Sequence, residues 1–112
     1  MTRVTTHVLD TSAGKPAAGL TVRLEQPGRG AGPAPVASAT TDADGRVRDW
    51  LPAGVPAGRY RLVFETGAWF RAAGRDTLYP EVMIDFEVRD GVPHYHLPLL
   101  LSPFGYSTYR GS

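Results

Sequence analysis

The sequence contains no cysteine. That absence excludes disulfide scaffolds, thiolate zinc sites and cysteine nucleophiles together, and it leaves the redox compartment open. Lysine is nearly absent as well: Lys15 stands alone against 11 arginines. A Schiff-base mechanism therefore has one candidate, and it sits in a Gly-Lys-Pro turn. There is no large excess of charge either. The net value is +1, so no strong pull on nucleic acid or anionic lipid is expected. The longest strongly apolar run, Leu97–Leu101, falls far short of the roughly 20 residues that span a bilayer. Met1–Thr6 carries no hydrophobic signal region. These absences predict a soluble cytoplasmic protein with no nucleic-acid or membrane partner.

What is present is a globular composition. Of 112 residues, 42% are hydrophobic and 21% charged, which suits one modest core and predicts a single domain over residues 1–112. The 13 glycines and 10 prolines predict many turns without reaching the range of a low-complexity chain. The dominant hydrophobic period is two. Leu20, Val22 and Leu24 alternate with Thr21, Arg23 and Glu25; Tyr60, Leu62 and Phe64 alternate with Arg59, Arg61 and Glu65; Val82, Ile84, Phe86 and Val88 alternate with Met83, Asp85, Glu87 and Arg89. Each run reads as a half-buried strand. Residues 3–10, 36–41, 94–101 and 105–110 are further strands, and 46–48 a short one. Gly14-Lys15-Pro16 and Asp42–Gly45 are turns, Pro27–Pro35 a mobile loop, and Pro52–Gly58 a second loop. Thr66–Ala73 alone resembles a helix, with Thr66 as N-cap and Gly74 as its stop. The sum predicts an all-β, two-sheet sandwich of about eight strands with one short helix.

The chain has three histidines, His7, His94 and His96. In strand 3–10, His7 shares a side with Thr5 and Leu9. In strand 94–101, Tyr95, Leu97, Leu99 and Leu101 form the apolar side, and His94 and His96 lie on the other with Pro98 and Leu100. Spacing alone leaves three readings open. They are solvated surface histidines, a three-nitrogen zinc site with an open fourth position, or acid–base catalysts that need no metal. Arg46 follows Asp44-Gly45 at the exit of a turn, where spacing alone favours an ordinary exposed arginine. The Asp42/Asp44 pair lacks the terminal glutamate of a calcium loop and is discounted.

Longer motifs carry more. The opening His7-Val8-Leu9-Asp10-Thr11-Ser12-Ala13-Gly14-Lys15-Pro16-Ala17, the central Asp44-Gly45-Arg46 and Tyr79-Pro80-Glu81, and the closing His94–Pro103 with Tyr106–Ser112 resemble the transthyretin-related 5-hydroxyisourate hydrolases. The resemblance runs from Val4 to Ser112; the closing stretch, His94–Pro103 with Tyr106–Ser112, is its most specific part, and Tyr109-Arg110-Gly111-Ser112 is a strong signal. It implies the transthyretin sandwich of two four-stranded sheets. It also implies a homotetramer, a dimer of dimers, with sites in a channel at the dimer–dimer interface. The implied reaction is hydrolysis of 5-hydroxyisourate, the product of urate oxidation, without a cofactor or metal. The Pro27–Pro35 loop departs from the family pattern but touches none of these motifs.

The resemblance places His7, Arg46, His96, Tyr109 and Ser112 in or around the site. Opening a cyclic amide needs water, a base and positive charge near the developing oxyanion. His7 or His96 is the expected base, Arg46 the group that polarises the carbonyl and orients the ring, and Tyr109 a residue that narrows the channel. Ser112 is expected in both catalysis and substrate binding, through its hydroxyl or its α-carboxylate, and His7 and Arg46 are expected to bind substrate as well. Leu9, Pro98 and Leu100, on outward faces beside the histidines, suggest a second buried surface, as a tetramer requires. The alternative within the fold is a transthyretin-like carrier of small ligands with no activity. Its positions matching His7 and His96 are not histidine, and it does not end in Tyr-Arg-Gly-Ser.

Overall fold

The structure, a computed structural model, describes residues 1–28 and 32–112. Among them are nine strands and one helix: β1 (Arg3–Asp10), β2 (Lys15–Pro16), β3 (Thr21–Gln26), β4 (Ala34–Thr40), β5 (Arg46–Val47), β6 (Gly58–Phe64), α1 (Thr66–Ala72), β7 (Val82–Val88), β8 (His94–Ser102) and β9 (Gly105–Thr108). One sheet runs β2-β1-β8-β9, with β5 also paired to β1. The other runs β4-β3-β6-β7. The strand called from 36–41 begins two residues earlier, at Ala34. It takes Ala34 and Pro35 from the expected loop, and its register against β3 shifts between Leu24 and Glu25. A sheet edge next to an irregularity tolerates the missing proline N–H. The middle of that loop, residues 29–31, lies outside the described residues.

The period-two pattern explains the layering. Val4 and Val8 of β1 and Leu97, Leu99 and Leu101 of β8 point inward from the first sheet. They meet Val22, Leu24, Tyr60, Leu62, Phe64, Val82 and Val88 of the second. Fully burying side chains of this kind contributes about 1.5–3 kcal/mol each, set against the entropy of ordering the chain. Polar groups inside are satisfied. The Thr6 hydroxyl donates to the Leu97 carbonyl at 2.6 Å, and Tyr60 Oη donates to the Pro56 carbonyl at 2.7 Å.

The helix departs from expectation at its start. Its N-cap is Glu65 with no side-chain cap, and the Thr66 hydroxyl donates instead to the Tyr79 carbonyl at 3.2 Å. Thr66 is fully buried, so its hydroxyl bonds across to the chain that leads into β7. Gly74 ends the helix as predicted, in the left-handed region at φ 69°. The next residue, Arg75, ties the helix to the far end of β1. Arg75 Nη1 donates to Asp10 Oδ2 at 2.6 Å, and the Asp10 carboxylate also accepts from the Ser12 and Ala13 N–H groups. The guanidinium stacks over Phe70, 4.8 Å from the ring centre.

Candidate active site

The site is built on the outer face of the first sheet. There β1 and β8 pair in parallel, with Arg3 opposite His94, Thr5 opposite His96 and His7 opposite Pro98. Paired residues share a face, so this register gathers Arg3, Thr5, His7, His94 and His96 on one side while Val4, Tyr95, Leu97 and Val8 go to the core. β5 adds Arg46, which pairs with His7.

Arg46 is presented by a compact turn. The Asp42 carboxylate accepts the backbone N–H groups of Asp44 and Arg46, each at 2.9 Å, and Asp42 and Arg46 also pair through their backbones at 3.0 Å. Gly45 has φ 76°, and a β-carbon there would run into the Val8 carbonyl oxygen, which accepts from Ala17 while the Gly45 carbonyl accepts from Val8. Only glycine lets the turn lie this close to β1. The Asp-Gly-Arg spacing thus has a mechanical reason: aspartate closes the turn, glycine seats it and arginine leaves it beside His7.

The segment after β9 completes the face. The β8–β9 register, Leu99 opposite Thr108, continues through a bridge between His96 and Gly111. The strand predicted to 110 therefore ends at Thr108, but its register carries on and puts Tyr109 opposite Pro98. The Gly111 N–H donates to the His96 carbonyl at 2.7 Å, and the Arg110 guanidinium lies 4.7 Å from the centre of the Tyr95 ring.

These elements enclose an open cleft of about 560 Å³, a size suited to a small molecule. Arg3, Thr5, Arg46, Arg48, His96 and Ser112 are among its walls. Of the residues named from the sequence, Arg46, His96 and Ser112 line the cleft directly. His7 stands beside them, its ring centre 6.5 Å from that of His96. Tyr109 is not one of the walls and is 54% exposed. The structure adds Thr5, Arg3 and Arg48, which the motifs did not single out. Their parity was readable, since Thr5 and Arg3 alternate with core residues as His7 does. The partner strand was not. The Thr5 Oγ1 lies 2.7 Å from His94 Nε2 and 2.8 Å from His96 Nδ1. Those two nitrogens face Thr5 rather than a point shared with His7, and among the described residues no three His, Asp or Glu side chains are grouped to hold a metal ion.

Both facing histidines are held below their ordinary pKa of 6.5. For His7 the causes are burial and then the Arg46 cation, opposed by the Asp44 backbone and the Asp42 and Asp44 carboxylates. For His96 they are burial, Arg46, and then the neighbouring His7 and His94. Two neutral imidazoles beside a fixed guanidinium can take a proton from water and steady the negative charge that follows.

The chain matches the HIUase/Transthyretin family over residues 4–111. It belongs to that family. The 5-hydroxyisourate hydrolase of Caulobacter vibrioides is 46% identical over 116 aligned positions that cover 100% of both chains. The solved structure of Klebsiella pneumoniae 5-hydroxyisourate hydrolase is 46% identical, covers 100% of both chains and superposes with a TM-score of 0.90. Sea bream transthyretin in complex with thyroxine is 31% identical over 96% of this chain and 93% of its own, with a TM-score of 0.89. Backbone shape therefore does not separate the two branches of the HIUase/Transthyretin family.

Proposed function

We propose that this protein hydrolyses 5-hydroxyisourate to 2-oxo-4-hydroxy-4-carboxy-5-ureidoimidazoline in the breakdown of urate. The observation that carries this reading is the gathering of His7, His96 and Arg46 on one face, with Arg46 paired to His7 and the two imidazole rings 6.5 Å apart. A carrier has no use for a proton acceptor next to a cation, whereas opening a cyclic amide needs both. The higher identity to relatives named as hydrolases supports the same reading.

In this mechanism His96 or His7 takes a proton from water as the oxygen adds to the ring carbonyl. Arg46 faces the developing oxyanion with its fork of donors. The C–N bond then breaks, the ring nitrogen receives a proton and a carboxylate remains. Arg3 and Arg48 make the cleft positive enough to hold such a product. Ser112 and Tyr109 are assigned to substrate binding, Ser112 as a cleft wall and Tyr109 by its place opposite Pro98 on the histidine face. The active form is a homotetramer, a dimer of dimers. This assignment is supported by the half-buried Leu9 and Leu100 on the same outward face.

The test is the decay of 5-hydroxyisourate absorbance after urate oxidase has formed it. Acceleration over the spontaneous rate is expected. No acceleration, with tight binding of an aromatic ligand, would leave a carrier. Sedimentation of an active monomer would overturn the tetramer.

A further inference from the structure

The Thr5 hydroxyl sits between two imidazole nitrogens, 2.7 Å from His94 Nε2 and 2.8 Å from His96 Nδ1. A hydroxyl carries one proton, so it can donate to only one of them and must accept from the other. The tautomers of the two rings are therefore tied together. If Thr5 donates to His96 Nδ1, His96 carries its proton on Nε2 and shows the cleft an N–H. If Thr5 donates to His94 Nε2, it accepts from His96 Nδ1–H, and His96 Nε2 is a bare lone pair.

We propose that Thr5 and His94 are positioning residues that fix His96 in the second form, with Nδ1 protonated and Nε2 open to the cleft. The proposal rests on the hydrolase reading and deepens it. One arrangement favours this form, and a second holds the ring where it applies. Arg46 lines the same cleft, and a guanidinium prefers a lone pair to an N–H facing it. Gly111 backs the His96 ring on its Cδ2 side, so the ring cannot swing away from Thr5 toward the tail. A base needs its lone pair fixed before substrate arrives, and a hydrogen bond to the remote nitrogen is the ordinary way to fix it. The charged and titratable groups facing His96 are Arg3 and His7 from β1, Arg46, Arg48 and Asp49 from β5 and its exit, His94 from β8, and Ser112 with its α-carboxylate. None of them except His94 meets Thr5 Oγ1, so this chain of three links the two tautomers, and the Arg46 cation favours the one with His96 Nε2 bare.

The experiment uses the full chain labelled with 15N. Long-range 1H–15N spectra of the histidine rings at neutral pH should show His96 protonated at Nδ1 and bare at Nε2. In Thr5→Val the selection should be lost and kcat should fall by roughly tenfold or more, with KM little changed, because a misdirected imidazole cannot act as base. Thr5→Ser keeps the hydroxyl and should restore both the spectrum and the rate. His94→Phe should behave like Thr5→Val, while His94→Gln, whose carbonyl can accept from Thr5, should keep most of the activity. A wild-type His96 protonated at Nε2 overturns the proposal. So does wild-type turnover in Thr5→Val, or a loss that Thr5→Ser does not repair. If the wild type itself fails to speed the decay of 5-hydroxyisourate, the hydrolase reading fails, and the ring spectra still decide the tautomer.

Discussion

Gly111 lies so close to His96 that a β-carbon on it would stand 2.6 Å from the ring Cδ2. No real β-carbon sits at that distance, so either the ring or the backbone must move. The backbone is held by the Gly111 N–H to the His96 carbonyl at 2.7 Å. Gly111→Ala is therefore expected to press on the Cδ2 side of the His96 ring and force it out of its seat against Thr5. A displacement of this size costs about 100-fold in rate when it moves a reacting group. The fall in kcat/KM should far exceed any fall in melting temperature, since Gly111 lies outside the core. Unchanged kinetics in Gly111→Ala would show that the ring tolerates the intrusion.

The pH profile should report the depressed histidines. A base must be neutral to act, so the acid limb of kcat/KM is expected below pH 6.5, because burial and Arg46 hold both His7 and His96 down. Arg46→Met removes one of the lowering causes from each ring. The limb should then move toward higher pH, and the plateau rate should drop about 100-fold or more through loss of the oxyanion partner. A drop in rate without movement of the limb would separate Arg46 from the histidines electrostatically.

Asp42 acts on the same arginine from behind. Its exposed carboxylate accepts the N–H groups of Asp44 and Arg46 and keeps the turn closed. Asp42→Ala should loosen the turn, lower kcat/KM by about tenfold as Arg46 loses its fixed position, and leave thermal melting nearly unchanged. Kinetics equal to wild type would mean that Gly45 and the backbone pairing suffice to place Arg46.

Much of this arrangement was legible in the sequence, and the reason lies in strand parity. Alternation of Val4, Thr6 and Val8 with Thr5 and His7, and of Tyr95, Leu97 and Leu99 with His94 and His96, told which side chains face away from the core. The strands at 3–10, 60–64 and 82–88 appear where the period-two runs put them. Parity says nothing about which strands are neighbours, however. The parallel pairing of β1 with β8, which puts Thr5 between His94 and His96, comes from long-range packing. The helix cap failed for a related reason: Thr66 is a good local cap, but burial gave its hydroxyl a tertiary partner in Tyr79. The β8–β9 register carries Tyr109 opposite Pro98, yet its exposure could not be read from alternation.

The Asp10–Arg75 pair should appear in stability rather than catalysis. Burial pushes the Asp10 carboxyl up. The Arg75 hydrogen bonds, with those from Ala13 and Ser12, outweigh this and hold it at about 2, against an ordinary 3.8. A depressed carboxylate adds stability that is fully present above pH 3.8 and is lost as pH falls through about 2. The shift corresponds to about 2 kcal/mol. Arg75→Met should lower the melting temperature at pH 7, since Asp10 is only 1% exposed and loses its cation. The gap between variant and wild type should shrink as pH approaches 2. A gap that stays constant with pH would assign the loss to packing over Phe70 instead.

The parallel seam between β1 and β8 also sets a clock. Thr5 and His96 are 91 positions apart, so the first strand is made long before the strand it needs. At a ribosomal pace of about 5–20 residues per second, β1 waits roughly 5–18 s for its partner. During that wait β1 presents alternating apolar side chains and unpaired backbone groups, the form most prone to pairing with another chain. The candidate site is therefore assembled in one late step, when β8 closes the seam and brings Thr5, His94 and His96 together. Production of active protein should accordingly gain more from slower synthesis or a holding chaperone than the small size of the chain suggests.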